Sequence, residues 1–132
     1  MSDKRKIILT VKQIDNGSGS ENIVYDGEGE LVRLSNGLRI HYYEERKHEV
    51  CFMIREEHIS LRRKADVLTE IQFKIMDLGK MTVASPFGVV EMKSFTHNFE
   101  KEEKRIIIHY DVVDTHDVIA SYRSEWIWEE TE

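Results

Sequence analysis

Apolar residues recur at every second position through most of this chain. Ile7, Leu9 and Val11 form one such series, and Leu38, Ile40 and Tyr42 another. Val50, Phe52 and Ile54 follow, then Ile59 and Leu61, and later Ile106, Ile108, Tyr110 and Val112. A last series runs through Val118, Ala120, Tyr122, Ser124 and Trp126. Successive side chains of a strand point to opposite faces, so this period sends one face of each segment to a core. Turn signals separate the segments: "DNGSGSEN" from Asp15 to Asn22, "SNG" from Ser35 to Gly37, "SPFG" from Ser85 to Gly88 and "DTHD" from Asp114 to Asp117. Asn36-Gly37 is expected to supply the positive φ angles of a tight hairpin. Between Ile23, Tyr25 and Leu31, the glycines Gly27 and Gly29 predict a bulge or a sharp bend. The spacing predicts an all-β fold, a small antiparallel barrel or sandwich of about eight to ten strands. One segment, "DVLTEIQFKIMDLGK", fits two templates. Leu68, Ile71, Ile75 and Leu78 make a helical stripe, with Gly79 as its C-terminal cap, whereas Val67, Ile71, Phe73 and Ile75 fit a strand. Periodicity alone leans toward the helix.

A chain of 132 residues is one domain's worth. We expect a single domain over residues 1–132, with an ordered core from about 6 to about 128. Nineteen Lys and Arg against 25 Asp and Glu leave a net charge of −6. That balance argues against nucleic acid and against an anionic membrane surface as main partners. Cys51 is the single cysteine, so no internal disulfide forms and a reducing, cytoplasmic setting is expected. The opening "MSDKRK" is charged and precedes no long apolar core of a signal peptide.

The order of several motifs carries a family likeness. "LRIHYYEE", "ISLRRKADVLTEIQF", "SPFG" leading into "VVEMKSFT", and "RIIIHYDV" together resemble the YwiB-like proteins, a bacterial family of unknown function with a calycin-like β-barrel. Arg63, Phe73 and Phe87-Gly88 stand at the positions that match the family's pattern. The turn glycine that usually follows the arginine is replaced here by Lys64, Ala65 and Asp66. The resemblance implies a calycin-like barrel, and it implies a strand over Val67 to Ile75 in place of the helix. It implies no activity.

Parity picks out the candidate site. In "HYYEERKHE" the neighbours Glu44 and Glu45 fall on opposite faces of a strand, so they cannot act together on one substrate. Glu44 is in register with Ile40 and Tyr42 on the inner face, and Glu45 with His41 and Tyr43 on the outer one. Arg63 is in register with Ile59 and Leu61, which aims it inward as well, while Arg62 points out. An inward Arg63 clamps a carboxylate, either Glu44 or that of a ligand, or else both residues sit at solvated strand ends. Tyr42, Tyr110, Tyr122 and Trp126 are inner aromatics, which serve either as plain core or as the lining of a partly wet cavity.

Other constellations are weaker. Six histidines show no His-x-His or His-x-x-x-His spacing, so neither a metal nor another cofactor is expected. No G-x-S-x-G or phosphate-loop motif occurs. Cys51 is expected to be partly exposed and inert. In "WIWEETE", Ile127 is expected to face out and Trp128 to face in, beyond the strand end, where an exposed Ile or Trp gives a homodimer surface or the segment forms a lid over the barrel bottom. The leading expectation is a non-enzymatic protein that binds a small apolar or amphipathic ligand inside the barrel, lined by Arg63, Glu44, Tyr42, Tyr110, Tyr122 and Trp126. The alternative is a protein-interaction module with a fully packed barrel. Enzymatic activity has the least support.

Overall fold

Period-two alternation becomes ten strands. The computed structural model describes residues 3–131 apart from 46 and 57. The strands are β1 (Asp3–Asp15), β2 (Glu21–Leu34), β3 (Gly37–Glu44), β4 (His48–Arg55), β5 (His58–Lys64), β6 (Leu68–Lys74), β7 (Leu78–Ser85), β8 (Gly88–Glu102), β9 (Arg105–Asp114) and β10 (Asp117–Thr131). Each pairs antiparallel with the next, and β1 pairs with β10, which closes an up-and-down barrel. The upper end holds the turns that follow odd-numbered strands. The lower end holds the turns that follow even-numbered strands, together with both chain ends.

The inner face is the one that the alternation singles out. Ile7, Leu9, Ile40, Val50, Phe52, Ile59, Phe73, Ile106, Ile108 and Trp126 are all buried there. Each fully buried side chain of this size contributes about 1.5–3 kcal/mol relative to exposure. Rings join walls that are not neighbours. Phe52 on β4 stacks on Trp126 of β10 with centroids 4.1 Å apart, and Phe73 on β6 meets Tyr110 of β9 at 4.9 Å. These contacts cross the lumen, so side chains fill its middle.

Several local expectations are corrected. The segment with the helical stripe is strand β6, as the family likeness implies, and Gly79 caps no helix. A Cβ on Gly79 would stand 1.8 Å from the Gln72 carbonyl oxygen, so this glycine lets β7 cross close over β6. The β6–β7 ladder ends at Ile71 and Met81, beyond which the Ser94 hydroxyl of β8 donates to the Gln72 carbonyl at 2.8 Å. In the β2–β3 hairpin, Leu34 faces Gly37, yet neither Asn36 nor Gly37 has a positive φ. Gly37 is required by close approach instead, since a Cβ there would meet the Ile54 carbonyl oxygen at 2.0 Å.

The bulge of β2 lies at Val24 and not at the glycines. Val11 pairs with Tyr25 and Lys12 with Ile23, leaving Val24 unpaired. That extra residue turns Ile23 outward, where it is 62% exposed. A second bulge leaves Ile119 unpaired between Val118 and Ala120, and Val118 is likewise exposed. At the other end of β10 the strand runs on to Thr131, and Trp128 pairs with Leu9 and is 2% exposed. Trp128 thus faces in, as its parity implies, and Ile127 is half-buried.

Candidate functional site

Glu44 and Arg63 meet at the upper end. Val50 of β4 lies between Tyr42 of β3 and Arg63 of β5 in one cross-strand row, so three inner positions line up. The Arg63 Nε–H donates to Glu44 Oε1 at 2.6 Å, and the Glu44 side chain is only 11% exposed. Glu45 does not continue the strand. It adopts a positive φ in the β3–β4 turn and faces solvent. Strand geometry therefore delivers one carboxylate inward and turn geometry removes the other.

Tyr42 links this pair to the core. Its hydroxyl approaches the buried Trp126 Nε1–H without reaching hydrogen-bond geometry, which leaves that indole nitrogen unsatisfied. Burial first, and then the nearby Glu44 carboxylate, push the Tyr42 phenol well above its ordinary range. Tyr25 of β2 packs on Tyr42 with centroids 4.5 Å apart, and its hydroxyl donates to the Glu28 carbonyl at 2.5 Å. Tyr110 and Tyr122 form a separate group on β9 and β10, with centroids 5.7 Å apart. The Gln13 amide donates to the Tyr110 hydroxyl at 3.3 Å, and burial raises the Tyr110 phenol too.

The raised phenols of the buried Tyr42 and Tyr110 set an alkaline limit on stability. A raised tyrosine pKa stabilises the fold fully below the unfolded value of about 10 and is lost as pH climbs above it. Ultraviolet titration should therefore show Tyr42 and Tyr110 ionising only together with alkaline unfolding. Smooth ionisation of every tyrosine near pH 10 with the fold intact would refute this.

The six residues named from the sequence thus divide. Tyr42, Glu44 and Arg63 are together, Tyr110 and Tyr122 are together, and Trp126 lies deeper against Phe52. Of the six, only Tyr42 lines one of the four concavities described, and all four open to solvent. That cleft, about 670 Å³, has Ile7, Tyr25, Gly29 and Tyr42 at its base and Lys4 and Lys6 near its rim. It sits where the β2–β3 ladder stops at Glu30 and His41. A second concavity of about 840 Å³ runs over the outer wall past Arg39, His41, Cys51 and Arg62. Cys51 is half-buried there, and burial pushes its thiol up, away from the reactive thiolate. Histidines pair one to one with carboxylates on the outer wall: His41 with Glu49 at 3.0 Å, His97 with Asp111 at 2.8 Å and His109 with Glu100 at 2.9 Å. Among the described residues, no three His, Cys, Asp or Glu groups come together in a metal-binding cluster.

Sequence parity missed the apolar upper rim. Phe87, at the tip of the β7–β8 hairpin, is 99% exposed, and Val89 and Val90 beside it are exposed. Ile23 and Val24 on β2 and Val118 and Ile119 on β10 are exposed at the same end. The sequence signal was available in "SPFG" followed by "VV", a turn that carries apolar residues where polar ones are usual.

Comparison with known proteins agrees with the architecture. The chain is similar to the crystal structure of the ywiB protein from Bacillus subtilis, with a TM-score of 0.80 and 20% sequence identity over 98% of this chain and 94% of that one. At that identity the likeness concerns the fold. No curated protein matches the chain. No helix of the described residues is long and apolar enough to cross a membrane. Residues 7–125 match the family model of the domain of unknown function DUF1934, and the chain belongs to that family.

Proposed function

We propose that the protein is a non-enzymatic protein-interaction module, in which a packed barrel presents an apolar upper rim to a protein partner. The observation that carries this reading is Phe87, 99% exposed at a hairpin tip between a proline and a glycine, with Val89 and Val90 alongside. Isolated apolar residues on a surface are ordinary, but a group of them gathered at one end is typical of a docking surface. The rings that cross the lumen support the packed alternative over a ligand held inside the barrel. The single cysteine fits a reducing, cytoplasmic setting.

A photo-crosslinking residue placed at Phe87 tests this in the protein's own host, with Lys104 at the lower end as the control. Crosslinks to a protein from Phe87, absent from Lys104 and lost on Val89→Asp, are expected. Equal crosslinking from both positions, or none from Phe87, would overturn the reading. A second reading, a small amphipathic ligand, is favoured by the cleft at Tyr25 and Tyr42. Its volume falls within the range of about 300–1,000 Å³ usual for ligand sites. A native mass spectrum with a small-molecule mass that is lost on denaturation would decide for it.

A further inference from the structure

The barrel rim has a step. β2 continues upward past the end of its neighbour β3, which stops at Glu44. The two strands pair only from Glu30 to Leu34 on β2 and from Gly37 to His41 on β3. From Glu21 to Gly29, β2 pairs with β1 on one side and with no described strand on the other. A strand edge of this kind carries N–H and C=O groups that point away from the sheet, a template for another chain. The Tyr25 hydroxyl covers one of these groups, the Glu28 carbonyl.

Two further features say what would lie against this edge. Ile23 and Val24, both β-branched, are exposed on it. Its charged residues are all acidic, namely Glu21, Asp26 and Glu28, and Glu45 is exposed on the neighbouring turn. The partly engaged ones reach only weakly for their neighbours: Lys12 lies 3.9 Å from Glu21, and the Thr10 hydroxyl donates to Asp26 at 3.4 Å. A second copy of the chain paired edge to edge would set these carboxylates against one another, and like charges directly opposite are destabilising. The acidic residues and the Val24 bulge thus guard the edge against self-pairing while leaving it open to a cationic strand.

We infer that β2 from Glu21 to Glu28 is a strand-addition site for an extended segment of another protein, one that alternates basic and β-branched apolar residues. Basic side chains meet Asp26 and Glu28 on the outer face, and the apolar ones, on the opposite face, extend the inner side beside Tyr25. This inference rests on the interaction reading above and names the surface and the chemistry of the partner.

A decapeptide alternating lysine and valine is the probe, with a glutamate–valine decapeptide as its counterpart. Hydrogen–deuterium exchange of the full chain should slow by about tenfold at amides between Glu21 and Glu28 with the first peptide and not with the second. The protection should fall at high ionic strength. The Asp26→Lys/Glu28→Lys variant should reverse the preference between peptides. Ile23→Lys, at a solvent-exposed position, should weaken the first peptide with no change in melting temperature. Equal protection by both peptides, no protection of β2, or pairing of β2 with a second copy would overturn the proposal. Protection at the Phe87 hairpin in place of β2 would overturn strand addition and leave the interaction reading standing.

Discussion

Trp126→Ala should destabilise the protein by about 3–5 kcal/mol in chemical unfolding followed by circular dichroism. Trp126 is 4% exposed and stacks on Phe52 at 4.1 Å, from a wall that is not its neighbour. Truncation would remove the indole and leave a void that the rigid strands on either side cannot close. One effect works the other way. The indole nitrogen is buried without a satisfied hydrogen bond, so its removal relieves a desolvation penalty. Trp126→Phe, which keeps a ring and drops that nitrogen, should therefore cost less than about 1.5 kcal/mol. The contrast bears on function as well as stability. A tryptophan that lined an empty ligand chamber would already lack partners on one side, and its truncation would cost little. A measured loss near 1 kcal/mol for Trp126→Ala would reopen the hollow barrel.

What the sequence could convey depended on whether a residue's fate is set by its own strand or by another. The inner faces of β1, β3, β4 and β9 were legible because parity is a property of the strand itself. Glu44 and Arg63 were legible for the same reason, as each sits two residues beyond an inner apolar neighbour. Ile23 and Val118 were not, because a bulge adds one residue and inverts parity beyond it, and bulges leave no periodic trace. Gly37 and Gly79 were misread as a turn residue and a helix cap. Both are glycines because a carbonyl from another strand passes within 2.0 Å of where a Cβ would stand, which only the folded sheet reveals. Trp128 was placed beyond the strand end, since nothing in "EETE" shows that β1 runs alongside it. The apolar upper rim escaped notice because alternation assigns apolar residues to a core by default.

Arg63→Ala should cost about 2 kcal/mol or more, and the cost should be asymmetric between the partners. Two limits bracket the value. A solvent-exposed ion pair contributes about 0–1 kcal/mol. Breaking a buried pair costs about 3–5 kcal/mol, because the remaining charge stays buried without compensation. The pair lies between these limits, since the Glu44 side chain is 11% exposed and that of Arg63 is 38% exposed. Removing Arg63 strands the Glu44 carboxylate beside the phenols of Tyr25 and Tyr42, away from water. Glu44→Gln leaves Arg63 with its charge already near solvent, free to turn outward on a long side chain. That variant should lose less than about 1 kcal/mol. A double-mutant cycle with Arg63→Ala and Glu44→Ala should show a coupling of at least about 1 kcal/mol. Arg63→Ala within about 0.5 kcal/mol of the parent would place the arginine in solvent and leave Glu44 with another means of compensation.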